Sequence, residues 1–265
     1  MYPDSRPELS VIVPCHDSEQ FIQERLGVLA LELESLDLAS ELIVVDDGSV
    51  DGTAGKVEQL ALEGCRLIRC PENRGKFAAI TRGVLESRGR CLLFTDADVP
   101  FDLGVIPLMV DLVLNQGFHL AVGDRSLSGS IYAERTGPVR RIASRVFTYF
   151  VRLFVTSGLY DTQCGIKAMR ADVGRLLAPM LREHRFSGDL ELLYVALKYN
   201  LAIRRVPVRL RFQGPSSLRL VRDGLSMGFA ALRLRSRHRR GLYWNPELAS
   251  LTGLEYPDGK AAKPD

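Results

Sequence analysis

The sequence predicts an α/β fold: a mostly parallel sheet flanked by helices, followed by amphipathic C-terminal helices. Two observations carry this reading. Short apolar, β-branched runs alternate with stretches of helical apolar spacing through the first half of the chain. Those runs are apolar on both faces, as expected of strands covered by helices on each side. A third observation points to where chemistry belongs. The residues just after each run are acidic or glycine-rich, and in open sheets of this kind ligands bind beyond the carboxyl ends of the strands.

The elements follow in order. Leu9–Pro14 reads as a strand, and Phe21–Leu36 repeats Phe21, Ile22, Leu26, Leu29, Leu33 and Leu36 at helical spacing. Glu41–Asp46 is the second strand and Thr53–Leu62 the second helix. Cys65–Arg69, Lys76–Ser87 and Arg90–Thr95 continue the alternation, and His119–Gly123 adds a fifth strand. Val139–Ser157 reads as an amphipathic helix with Val146, Phe147, Phe150, Leu153 and Phe154 on one side. Helices near 171–182 and 189–200 and a strand at Ala202–Val206 come next. Leu218–Arg240 forms a last amphipathic segment, and the chain from Gly253 reads as a loose tail. The expected division is an α/β domain over 1–215, a basic amphipathic segment over 216–252 and a tail over 253–265.

Composition removes several classes. With 46% hydrophobic and 25% charged residues in 265, the chain is neither collagen, nor coiled coil, nor wholly disordered, and it is long enough to bury a core without disulfides. Five cysteines at 15, 65, 70, 91 and 164 form no CxxC pair and no zinc spacing, which suits a reducing compartment. The N-terminus lacks the basic start and apolar stretch of an export signal. No window approaches the roughly 20 apolar residues of a membrane span; Ile142–Val155 is broken by Arg145 and Arg152. The net charge of +3 hides an asymmetry. Residues 204–240 hold eleven arginines against the single acid Asp223, so the rest of the chain is net acidic.

Asp96-Ala-Asp98, directly after an apolar strand, is the sharpest local signal. Two carboxylates at i and i+2 on such a corner can face one ligand, and hard oxygens with substrate phosphates are how Mg²⁺ or Mn²⁺ is held; the same residues would also make a helix-capping turn. Asp46-Asp-Gly-Ser-Val-Asp-Gly-Thr53 suits a base or ribose, with Asp51 or Thr53 available to cap the following helix. Asn73-Arg-Gly-Lys76 places two cations at a helix start, where phosphate is already favoured. No GxGxxG and no GxxxxGK[ST] occurs, which disfavours a dehydrogenase or a P-loop enzyme.

Taken in order, Ser10-Val-Ile-Val-Pro-Cys-His-Asp17, Val45–Thr53, Asn73–Lys76 and Asp96–Asp98 resemble the nucleotide-sugar site of the family 2 glycosyltransferases, which have the Rossmann-like GT-A fold. Gly123-Asp-Arg125, Asp161-Thr-Gln-Cys-Gly-Ile-Lys167 and Phe186-Ser-Gly-Asp-Leu-Glu-Leu-Leu193 narrow the resemblance to a branch like the dolichyl-phosphate β-glucosyltransferases. It implies that Pro14, Asp17 and Asp46 hold uridine, that Lys76 belongs to the nucleotide-sugar site, that Asp96 contacts ribose or metal, and that Asp98 binds the metal bridging the diphosphate. Asp17 and His16 stand where many relatives have Glu and Asn, and Asp124 where Ser is commoner.

The acceptor implied is a polyprenyl phosphate, already ionised near neutral pH and therefore in little need of a general base. Cationic positioning and leaving-group stabilisation are what the protein must supply. Arg125, Arg135, Arg140 and Arg141 are the candidates for the acceptor phosphate. Asp189 and Glu191, at a helix start, either complement the helix dipole or orient those arginines or the sugar. Asp161 and Gln163 are expected on the floor of the sugar pocket, and Asp98, Asp189 and Arg125 are the residues expected to carry catalysis. The full expectation is an inverting hexosyltransferase using UDP-glucose and Mg²⁺ or Mn²⁺ on the cytoplasmic face of a membrane. Its basic amphipathic helices would hold it there peripherally. The alternatives are a family 2 enzyme using GDP-mannose or a soluble acceptor, or a nucleic-acid-binding protein acting through Arg204–Arg240. The last leaves Asp96 and Asp98 without a role, and no nucleic-acid partner is expected.

Overall fold

The computed structural model describes residues 6–131, 161–185, 187–211 and 232–254. The expected helix at 139–157 lies outside the described residues, as do Arg135, Arg140, Arg141 and the stretch 218–231.

The first half alternates as the apolar spacing predicts: β1 (Leu9–Cys15), α1 (Ile22–Ser35), β2 (Ser40–Asp46), α2 (Thr53–Gln59), β3 (Cys65–Arg69), α3 (Lys76–Glu86) and β4 (Cys91–Phe94). Then come α4 (Ile106–Leu114), β5 (Leu120–Asp124), β6 (Lys167–Arg170), α5 (Ala171–Leu177), α6 (Ser187–Lys198), β7 (Ile203–Pro207), a helical run at 232–239 and α7 (Pro246–Thr252). The seven strands among the described residues form one sheet in the order β3-β2-β1-β4-β6-β5-β7. All pairings are parallel except those of β6, which runs antiparallel to both β4 and β5. Neither α4 nor β6 is among the sequence expectations. The predicted helix at 171–182 stops at Leu177, and Pro179 sits in the 3-10 turn Ala178–Met180 that follows, since proline cannot continue the helical hydrogen bonding.

Both faces of the sheet are buried, as the doubly apolar strands imply. Ile12, Ile43, Val45, Leu92 and Phe94 pack with Phe77, Ile80 and Val84 of α3 and Leu190 and Leu193 of α6. Val11, Val13, Leu42, Val44 and Leu93 pack on the opposite face with Leu26 and Leu29 of α1 and Met109 of α4. Burying one such side chain fully contributes about 1.5–3 kcal/mol, so the fully covered β1 is the rigid spine from which the site is hung. Leu234, Tyr243 and Leu248 join the first cluster, which fixes 232–254 to the body.

The register sets the site. Cys15 lies opposite Asp46, and Ile12 opposite Phe94, so β1, β2 and β4 end on one edge. Because β6 is antiparallel, its first residue, Lys167, lies opposite Phe94 and the preceding Asp161–Ile166 loop arrives at that same edge.

Candidate active site

The loops after β1 and β2 lock into each other. Asp46 Oδ1 accepts from the Ser49 N–H at 3.0 Å and its hydroxyl at 2.5 Å. Asp17, at φ +44°, donates its N–H to Ser49 Oγ at 3.0 Å and accepts from the Val50 N–H at 3.0 Å. Asp51 accepts from the Thr53 N–H and from the Glu19 N–H. Pro14 is buried within β1, opposite Val45. Asp17 and Asp46 thus share one corner.

Asp47, which the sequence reading passes over, joins that corner to the next. Its carboxylate accepts from the Arg74 N–H at 3.0 Å and the Gly75 N–H at 2.7 Å and so fixes the start of α3. Only glycine suits position 75: φ is +107°, and a Cβ there would lie 2.5 Å from the His184 carbonyl oxygen. That carbonyl accepts from the Phe77 N–H at 2.8 Å, so one of the amides expected to be open for phosphate at this helix start is already satisfied.

At the end of β4 the chain turns through Asp96-Ala-Asp98, closed by the Val99 N–H donating to the Asp96 carbonyl at 2.9 Å. Lys76 Nζ lies 2.5 Å from Asp96 Oδ1 and 3.8 Å from Asp189 Oδ2. Burial alone would depress the Lys76 ammonium; the Asp96 and Asp189 carboxylates outweigh it and hold its pKa above the usual range. Asp98 is raised from the ordinary carboxylate value, chiefly by burial and then by the neighbouring charge of Asp96. Two adjacent hard-oxygen donors, the second of them held back from ionising by burial and by the first, fit a divalent cation such as Mg²⁺ or Mn²⁺. Among the described residues no third Asp, Glu, His or Cys completes a cluster.

The Asp161–Ile166 loop closes over this corner. A Cβ on Gly165 would run into Asp96 Oδ2, so a larger residue there would displace either the loop or the carboxylate. Just beyond, Lys167 is fully buried, with its Nζ bonded to Asp189 Oδ1 and 2.6 Å from the Cys164 carbonyl. The sequence reading gave Lys167 no role. The one available signal is a lysine opening an otherwise apolar run.

Arg125 and Asp161, assigned separately to acceptor phosphate and sugar pocket, meet directly. The guanidinium Nε and Nη2 lie 2.7 and 2.8 Å from the two carboxylate oxygens, and the Arg125 N–H adds a third bond at 2.9 Å. Burial would raise the Asp161 carboxyl, yet Arg125 holds it below its usual value. The Gln163 N–H donates to Asp161 Oδ1 at 3.3 Å, and its buried Nε2 has no hydrogen-bond partner among the described residues. Asp124 is fully buried against Arg205 of β7 at 2.5 Å, which accounts for the acid in Gly123-Asp-Arg125.

Glu191 turns away from the site. One carboxylate oxygen accepts from the Arg182 and Glu183 N–H groups, both at 2.7 Å, and the other from Arg237 and Tyr243. Glu183 takes Arg233 at 2.9 Å and Arg237 at 2.9 Å. Two of the C-terminal arginines therefore fasten the 232–239 helix to the body. Leu232, Arg235, Arg239 and Arg240 remain on its exposed side.

The chain is 30% identical over 249 residues to a dolichyl-phosphate beta-glucosyltransferase of Dictyostelium discoideum, covering 89% of this chain and 76% of that one. It is 35% identical over 217 residues to the Drosophila melanogaster protein of the same name, covering 76% and 66%. In fold it is similar to glucosyl-3-phosphoglycerate synthase from Mycobacterium tuberculosis in complex with Mn²⁺, UDP and glucosyl-3-phosphoglycerate. There the TM-score is 0.61 at 20% identity, over 96% of this chain and 82% of that one. The family model for glycosyl transferase family 2 matches residues 10–175, a span that runs from β1 through β6 and takes in both acidic corners. On that span, and on its resemblance to the dolichyl-phosphate glucosyltransferases, the chain belongs to glycosyl transferase family 2.

Proposed function

We propose that this glycosyltransferase moves glucose from UDP-glucose to a polyprenyl phosphate of the dolichyl type, with inversion at the anomeric carbon and with Mg²⁺ or Mn²⁺ bound. The observation that carries the reading is the Asp96–Asp98 corner beside Lys76, at the edge where β1, β2 and β4 end. The names of the relatives supply the sugar and acceptor classes.

In this reading an ionised phosphate oxygen of the acceptor attacks the anomeric carbon as its bond to the diphosphate oxygen breaks. UDP departs with the electron pair, and no proton need be removed at the attacking atom. Asp96 and Asp98 would hold the cation, which neutralises charge on the departing diphosphate. Lys76 adds a fixed positive charge there. Pro14, Asp17 and Asp46 form the nucleotide corner, Asp161 and Gln163 the sugar floor, and Arg125, Arg135 and Arg140 receive the acceptor phosphate. Residues 1–215 form the catalytic domain. No described helix is long and apolar enough to cross a membrane. The exposed Leu232, Arg235, Arg239 and Arg240 suit peripheral attachment to an anionic cytoplasmic membrane face.

Purified protein incubated with labelled UDP-glucose or GDP-mannose and a short polyprenyl phosphate tests this. The expected result is a lipid-linked glucose product that disappears with EDTA. Preference for GDP-mannose, transfer only to water-soluble acceptors, or full turnover in EDTA would count against it.

A further inference from the structure

We infer that Lys167 is a positioning residue for the transfer, and that Asp189, the anion it grips, acts on Lys76 and not on the acceptor. This rests on reading the Asp96 corner as the diphosphate site. Four side chains from four elements form a line of alternating charge. Lys167 opens β6, Asp189 lies in the first turn of α6, Lys76 opens α3, and Asp96 follows β4. Both oxygens of Asp189 face ammonium groups: Oδ1 is bonded to Lys167, and Oδ2 lies 3.8 Å from Lys76. The Asp189 side chain is 2% exposed. A group that removes a proton from an acceptor must come within about 2.6–3.2 Å of it. Enclosed between two lysines, Asp189 presents no oxygen for that task, and a phosphate acceptor does not require it.

The enclosure of Lys167 points the same way. Its side chain is 0% exposed, its Nζ lies 2.6 Å from the Cys164 carbonyl, and it sits 5.5 Å from the centre of the Phe94 ring. Burying an ammonium costs desolvation that an apolar side chain of equal length would avoid. What the ammonium adds here is a fixed counter-charge for Asp189. With Asp189 so anchored, Lys76 is drawn from two sides, toward Asp96 and toward Asp189, and its position at the diphosphate is set by the packing of α3, α6 and β6. Without Lys167, Asp189 would have only Lys76 as a cationic partner among the described residues and would pull it away from Asp96.

The test is a set of double-mutant cycles read by UDP affinity, measured calorimetrically on the full chain with Mn²⁺ and again in EDTA. Lys167→Met and Asp189→Asn are each expected to weaken UDP binding at least tenfold in the wild-type background. In a Lys76→Met background each should change it less than twofold, because both act through Lys76. The KM for a short polyprenyl phosphate should stay within twofold. If Asp189→Asn keeps wild-type UDP affinity while kcat collapses, Asp189 acts on the acceptor and the inference is wrong. Losses that add fully to that of Lys76→Met would equally overturn it. Should Lys167→Met fail to fold by thermal denaturation, the Asp189→Asn cycle decides alone. A folded wild type that does not bind UDP at all would overturn the diphosphate reading and the inference with it. Normal wild-type binding with unaffected variants overturns the inference only.

Discussion

Asp98 and Gly165 make the sharpest demands on single residues. Replacing Asp98 by Asn removes an anionic donor from the proposed cation site without changing volume. Transfer with Mn²⁺ should fall about a hundredfold or more, consistent with the several kcal/mol a bound metal supplies, while the melting temperature holds or rises, because burial and Asp96 both disfavour the ionised carboxyl. Initial-rate assays beside thermal denaturation check both halves. Gly165→Ala would place a Cβ 1.9 Å from Asp96 Oδ2, so either the loop or the carboxylate must shift. UDP affinity should fall at least tenfold even with the fold retained, and an alanine variant with unchanged affinity would show that the loop has room to retreat. Asp96 and Asp98 were legible from sequence because a polar corner behind an apolar strand stands out locally. Lys167 and Asp47 were not, since their partners Asp189 and Arg74–Gly75 come from other parts of the chain.

The helical run at 232–239 shows where reading an element by charge alone falls short. Its arginines suggest one basic face, yet Arg233 and Arg237 point inward to Glu183 and Glu191. Helical spacing separates 233 and 237 from 235 and 239, but no local pattern says which side meets a buried acid. Burial would raise the Glu183 carboxyl, but the hydrogen bonds from Arg233 and Ser187 and the charges of Arg233 and Arg237 hold it below its ordinary value. Its contribution to stability is therefore complete above the unfolded carboxyl's pKa and is lost as pH falls through the depressed folded value. Glu183→Gln should cost about 1.5–3 kcal/mol at neutral pH, roughly 4–10 °C in Tm. The gap between variant and wild type should close as pH falls below the ordinary carboxylate range and through the depressed folded value, followed by calorimetry. On the outer side, replacing Arg235, Arg239 and Arg240 together by Gln should weaken binding to anionic vesicles about a hundredfold in a sedimentation assay, at about 1 kcal/mol per basic residue. High salt should mimic the loss.

Across the whole molecule, the sequence reading succeeds for the clearly apolar strands, whether the sheet partner is the next strand, as for β1 and β2, or a later one, as for β1 and β4. The alternation from β1 to β4 fixes three parallel pairings, and the doubly apolar strands fix two covered faces. It misses β6, whose four residues are too few for a period and whose partners β4 and β5 both precede it by a long excursion. That one inverted strand has a temporal meaning. As the chain leaves the ribosome, β1 to β4 can assemble from local contacts, while β5 lacks its inner neighbour until residues 167–170 have been made. Asp96 belongs to the early half; Lys167 and Asp189 belong to the late one. The charge line between them is a seam that can close only once α6 has been made. Pulsed hydrogen exchange during refolding should find the amides of β1 and β2 protected before those of β5 and β6, with competence to bind UDP appearing only at the second stage.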